Sequence, residues 1–206
     1  MYKRLCAALF LLLAPSAAMP ATLGDVKVGF SAERLLVIDG RSYNGKIWAM
    51  PGKERHEQTI QAFRPVFILR ADNPLGQAVL PQLHTIVQFT IPPELRILDI
   101  QKLKKRPVGQ ETVNGIAIIK YAIDETTPEG HATGTLWLSN DGIPMRLAGS
   151  FTAAKGKVST VRWELSRVKL GPQPPSLFET PQGYSKLPAE AVAPLLGLHL
   201  KSARAP

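Results

Sequence analysis

Short apolar runs separated by turn pairs confine this chain to a mainly β fold. The clearest case is Asn114-Gly115, set between Gln110–Val113 and Ile116–Ile119. Both turn residues tolerate positive φ, so the spacing predicts a two-residue hairpin. Thr133–Leu138 and Ile143–Ala148 predict another around Ser139-Asn140-Asp141-Gly142, and Asp39-Gly40 is a further turn pair. Val26, Val28 and Phe30 alternate with Lys27 and Gly29; Ser42–Met50 stops at Pro51-Gly52; Val66–Leu69 ends before Asp72-Asn73-Pro74. Leu83, Thr85, Val87 and Phe89 alternate until Pro92-Pro93. In Val158–Leu170, Val161, Trp163 and Leu165 share one face while Val168 and Leu170 have the opposite parity, which predicts a bulge near Ser166 or Arg167.

One stretch reads differently. Leu95, Ile97, Leu98, Ile100 and Leu103 form a helical stripe over Glu94–Lys105, acidic at its start and basic at its end, with Pro107 as the stop. Gly171–Pro188 is proline-rich and irregular, and Ala191–Leu200 suits a short terminal helix. With no repeat and no linker, residues 22–206 read as a single domain, an antiparallel sheet curled around a helix.

Residues 1–21 have the order of a secretory signal peptide: Lys3-Arg4, the apolar run Leu5–Leu13, then small residues, with cleavage after Ala18 or Ala21. The run is too short for a bilayer core of about 30 Å. The lone cysteine, Cys6, lies inside the leader rather than at the cleavage point, so a lipid anchor is not expected. A mature chain without cysteine has no disulfide, thiol nucleophile or cysteine-based zinc site. No later run reaches spanning length, so a soluble periplasmic protein is expected.

The charge is +9 for 206 residues, with 25 basic against 16 acidic side chains. Losing Lys3 and Arg4 with the leader leaves 23 against 16, or +7. The densest basic run is Lys102, Lys104, Lys105 and Arg106. It reads either as a solvated helix end or as a docking site for an acidic periplasmic or membrane-associated protein, or for an anionic membrane surface. Nucleic acid is not expected as a partner, because no aromatics are interleaved with that run.

Motifs for chemistry are sparse. The four histidines, His56, His84, His131 and His199, form no HExxH and no shared ligand spacing, so they read as surface or hydrogen-bonded residues. There is no G-x-S-x-G elbow and no G-x-G-x-x-G loop. The expectation is a non-enzyme with no cofactor and no metal.

Several strands are apolar on both faces: Val66–Leu69, Val79-Leu80, and Ile116, Ile118, Ile119, Tyr121 and Ile123. A sheet with one wet face would alternate cleanly. Either both faces are simply buried, or one packs on the core while the other lines a lipid-sized cavity.

Six segments, in order, resemble the periplasmic lipoprotein-carrier (LolA/LolB-like) superfamily: Tyr43–Trp48, Ala78–Thr85, Val108–Gly115 with Tyr121, Gly134–Leu138, Gly142–Leu147 and Leu177–Tyr184. The last is similar to that family's F-x-x-P-x-G-Y ending. The resemblance implies a half-open antiparallel β-barrel wrapped around one or more helices, with an apolar cavity suited to acyl chains. It carries over no individual functional residue. The expected function is therefore to bind an acyl chain, a lipid or an acylated protein. Candidate liners are Phe67, Leu69, Val87, Phe89, Ile119, Tyr121, Trp137 and Trp163, one or two per central strand. The alternative is a protein-interaction or regulatory module on the same fold.

Overall fold

The turn residues set the connectivity. Asp39 and Gly40, at φ of 48° and 78°, join β1 (Phe30–Ile38) to β2 (Arg41–Met50), and Gly52 joins β2 to β3 (Lys53–Gln58). Asn114 and Gly115, at 52° and 78°, join β7 (Lys105–Val113) to β8 (Ile116–Thr127). Gly142 lies in the turn between β9 (Gly130–Ser139) and β10 (Pro144–Ala153). The remaining strands are β4 (Val66–Arg70), β5 (Asn73–Leu80), β6 (Thr85–Thr90), β11 (Val158–Leu170) and β12 (Ser185–Leu187). The computed structural model of the chain describes residues 26–60, 62–90, 104–128, 130–188 and 191.

All twelve strands form one sheet, in the order β12-β6-β5-β4-β3-β2-β1-β11-β10-β9-β8-β7. Each neighbouring pair is antiparallel except β12, which runs parallel to β6. The outermost strands, β12 and β7, do not pair with each other, so the sheet is open. The chain is thus mainly β, with a half-open sheet as expected, and the parallel β12 is an addition that the irregular tail did not announce. The expected leader, the expected helical stripe as far as Leu103 and the expected terminal helix beyond Ala191 lie outside the described residues.

Where the helical stripe was expected to end, the structure differs. Lys105, Arg106 and Pro107 begin β7 rather than closing a helix. Pro107 is tolerated because β7 is an edge strand with a register shift between Pro107 and Gly109, where a missing backbone donor breaks little of the ladder. The bulge expected near Ser166 is present: the β1–β11 register shifts there, and Arg167 adopts a φ of 52°. The shift lets Val168 pack on the core, although Leu170 stays exposed.

Cross-strand register defines two faces. The front carries Trp163, Leu36, Ile47, His56, Phe67 and Val87 in one continuous series of strand partners and same-face neighbours. The back of β4–β6 carries Val66, Ile68, Val79 and Ile86, a buried cluster on which Tyr184 packs. The tail that supplies Tyr184 first forms a short 3-10 turn at Pro175–Phe178, with Phe178 fully buried and Arg55 donating to the Leu177 carbonyl at 3.1 Å. The back-face apolar residues of the two-faced strands are therefore used in ordinary packing. The front carries the main core, in which Phe30, Leu36, Ile47, Leu136, Trp163 and Leu165 are buried and against which Tyr121 packs, while Phe67, Phe89 and Ile119 stay half-buried beside it.

Candidate functional site

Seven of the eight candidate liners share the front face. Phe67 and Leu69 lie opposite His56 and Glu54 on β3, and Val87 and Phe89 lie opposite Ala78 and Gly76 on β5. Phe67 and Phe89 meet edge to face, with ring centroids 6.1 Å apart. Across the sheet, Ile119 and Tyr121 face Leu138 and Leu136 on β9, and Leu136 in turn faces Leu147, the partner of Trp163. Leu69, Val87 and Trp163 are buried, whereas Phe67, Phe89, Ile119 and Tyr121 are half-buried.

The eighth, Trp137, points to the back, because it pairs with Lys120 and Arg146 rather than with the Leu136 series. Both cations lie over its ring, at 5.1 and 5.4 Å, and Arg146 and Arg162 share Glu164. Alternation places consecutive residues on opposite faces, which a ranking by aromatic character ignores.

The same alternation divides the basic run. Lys105 lies on the front opposite Ile123, with its ammonium 5.6 Å from the Tyr121 ring, while Arg106 faces back opposite Ala122. Lys104 is exposed, its backbone N–H donating to Glu125, and Lys102 lies outside the described residues. Burial holds the Lys105 ammonium below its ordinary pKa.

Sequence reasoning missed a polar strip between the two apolar wings. Arg34 on β1 and Glu54, His56 and Gln58 on β3 all point forward, separated by β2. Arg34 Nη1 donates to His56 Nδ1 at 2.9 Å, and His56 Nε2 bonds the Glu54 carboxylate at 2.7 Å. These partners fix the imidazole as the neutral tautomer with its proton on Nε2, standing between a guanidinium and a carboxylate. Arg34 also donates to the Gln58 amide oxygen.

Gly45 makes this crossing possible. A Cβ there would stand 2.2 Å from the Glu57 carbonyl oxygen and 3.2 Å from Arg34 Nη2. The guanidinium carbon is 5.5 Å from the Trp163 ring centroid, His56 meets that ring edge-on at 6.4 Å, and Trp163 Nε1 donates to the Pro144 carbonyl.

Burial dominates the electrostatics of the strip. Arg34 is 5% exposed, and desolvation lowers its pKa to about 10 despite the attraction of Glu54. His56 is pushed well below its ordinary value, first by burial and then by the charge of Arg34. The expectation of a hydrogen-bonded histidine holds, but its partners come from a different strand as well as its own.

A cleft of about 530 Å³ lies along one row across β11, β1, β2, β3 and β4. Its lining takes in Arg34, Gly45 and Gln58 of the strip together with Asn44, Lys46, Arg64, Leu35 and Val66, and its two glutamates, Glu33 and Glu57, are already bound by Arg167 and Arg55. Among the described residues, no three His, Cys, Asp or Glu side chains are grouped to hold a metal ion, and no helix is long and apolar enough to cross a membrane.

No protein-family model matches the chain, and no curated protein does. Solved structures are similar. An uncharacterized conserved protein from Thermus thermophilus aligns with a TM-score of 0.52 at 13% identity, over 80% of this chain and 92% of that one. MucB aligns at 0.51 and 16% identity, over 79% of this chain but 61% of its own length. The chain therefore spans about three fifths of MucB. At such identities the likeness is one of fold alone.

Proposed function

We propose that this chain is an exported binding protein that holds an acyl chain, a lipid or an acylated protein segment against the front face of its open sheet. The observation that carries the reading is the placement of the apolar residues. On the back of β4–β6 they are engaged by the tail, whereas on the front, beside a buried core on which Tyr121 packs, Phe67, Phe89 and Ile119 are half-buried. Each methylene removed from water by such a surface contributes about 0.8 kcal/mol. Aliphatic and aromatic walls are also what an acyl chain requires.

Native mass spectrometry of the gently purified mature chain, with extraction of any bound lipid, tests this directly. Co-purified lipid is expected, together with saturable uptake of a fluorescent fatty acid. A ligand-free protein that ignores the fatty acid would overturn the reading.

A second reading has one observation in its favour. MucB, which shares the fold, has been crystallised in complex with MucA(peri). If this chain is instead a protein-interaction module, crosslinking in the periplasm captures one protein while no lipid co-purifies.

A further inference from the structure

Between the two wings of the front face lies a cation with unused hydrogen-bonding capacity. Arg34 donates through both terminal nitrogens, but its Nε is buried and has no acceptor among the described residues. A buried N–H without an acceptor is costly, and such a group calls for an ion, a water or a ligand atom. His56 stands between the guanidinium and the buried Glu54 carboxylate, so the groups bonded directly to the cation are a neutral ring and a neutral amide, and Glu54 attracts it from one ring away.

Two other buried donors lack acceptors, Trp137 Nε1 and Arg146 Nε, but both belong to the back-face cluster, where Glu164 already binds Arg146. Arg34 differs in its surroundings. Strand order puts it on β1, with β11 and Trp163 on one side and β3–β6 with Phe67 and Phe89 on the other. The Trp163 side is closed core, so an amphiphile whose tail lies along Phe67 and Phe89 would bring its head to this strip.

Resting on the acyl-binding reading of the front face, we propose that Arg34 is a head-group site that selects amphiphiles bearing a carboxylate or a phosphate. A guanidinium suits this task because it stays charged on burial and presents planar, directional donors to both anions. Gly45 and Gln58 position it, the first by leaving room and the second by accepting one terminal nitrogen.

The test is competition against a fluorescent fatty-acid probe on the full mature chain at about pH 8, where a fatty-acid carboxylate is ionised. Oleate is expected to displace the probe at a concentration about tenfold lower than methyl oleate does. Oleyl phosphate, with the same chain, is expected to behave as oleate does. Arg34→Met is expected to bring oleate and its ester within about twofold of each other.

Equal displacement by oleate and methyl oleate on the unmodified protein would overturn the head-group site while leaving the acyl-binding reading intact. A protein that takes up no probe would overturn both. Inorganic phosphate competing as well as oleyl phosphate would show a free-anion site and overturn the head-group assignment. The comparison on the unmodified protein decides the matter by itself should Arg34→Met fail to fold.

Discussion

Single side chains decide what the centre of the sheet can be. Gly45 sits where Arg34 crosses β2, and a Cβ at that position meets backbone at 2.2 Å. Gly45→Ala is therefore expected to cost on the order of 1–3 kcal/mol, read as a lower urea midpoint with an unchanged slope. His56 gives a pH dependence. Its folded pKa lies below 6.5 because burial and Arg34 oppose protonation, so the unfolded chain binds the proton more readily. The stability it contributes is fully present above about pH 6.5 and is lost as pH falls towards the lowered value. His56→Gln keeps an acceptor for Arg34 and a donor for Glu54 without titrating. Urea unfolding at about pH 5 and pH 7.5 should show a smaller loss on acidification in the variant than in the parent. This strip was only half legible in the sequence. Glu54, His56 and Gln58 at spacing two are polar residues on one face of a strand, which is a signal. Their partner Arg34 lies 22 residues from His56 and is joined to it only by the register of β1, β2 and β3.

At the scale of elements, the hairpins were readable because their turns need particular residues. Asn114-Gly115 and Asp39-Gly40 adopt the positive φ angles that few other pairs tolerate. The end of the helical stripe was not readable: lysine and arginine before a proline suit a helix terminus and an edge strand equally well, and only pairing with β8 distinguishes them. The basic run consequently does not make one patch, since β7 sends Lys105 forward and Arg106 back. Charge reversal at Lys104 and Arg106 is therefore expected to leave fatty-acid affinity within about twofold of the parent, measured by probe titration. The tail behaves as a structural element. Phe178 is fully buried in the 3-10 turn that packs on β3 and β4. Phe178→Ala should cost about 3–5 kcal/mol in urea unfolding, as a buried aromatic does in a core.

For the whole molecule, an open sheet has to account for its second face. Residues of the tail cover the back of β4–β6, and the front keeps half-buried aromatic and aliphatic residues on both sides of the Arg34–His56–Glu54 strip. Apolar content on both faces was evident from the sequence, but which face the tail would occupy depended on its course beside β6. The expected leader makes a separate prediction. The intact mass of the protein recovered from a periplasmic fraction is expected to correspond to cleavage after Ala18 or Ala21, and an uncleaved mass would remove the basis for export.

The central claim, that an acyl chain lies on the front face, is tested most directly by photocrosslinking a diazirine-bearing fatty acid to the mature chain and mapping the adducts by peptide mass spectrometry. Adducts are expected on Phe67, Phe89, Ile119 and Tyr121, with Trp137 unlabelled. Labelling concentrated on Trp137 and the back-face strands, or no saturable labelling at all, would contradict it.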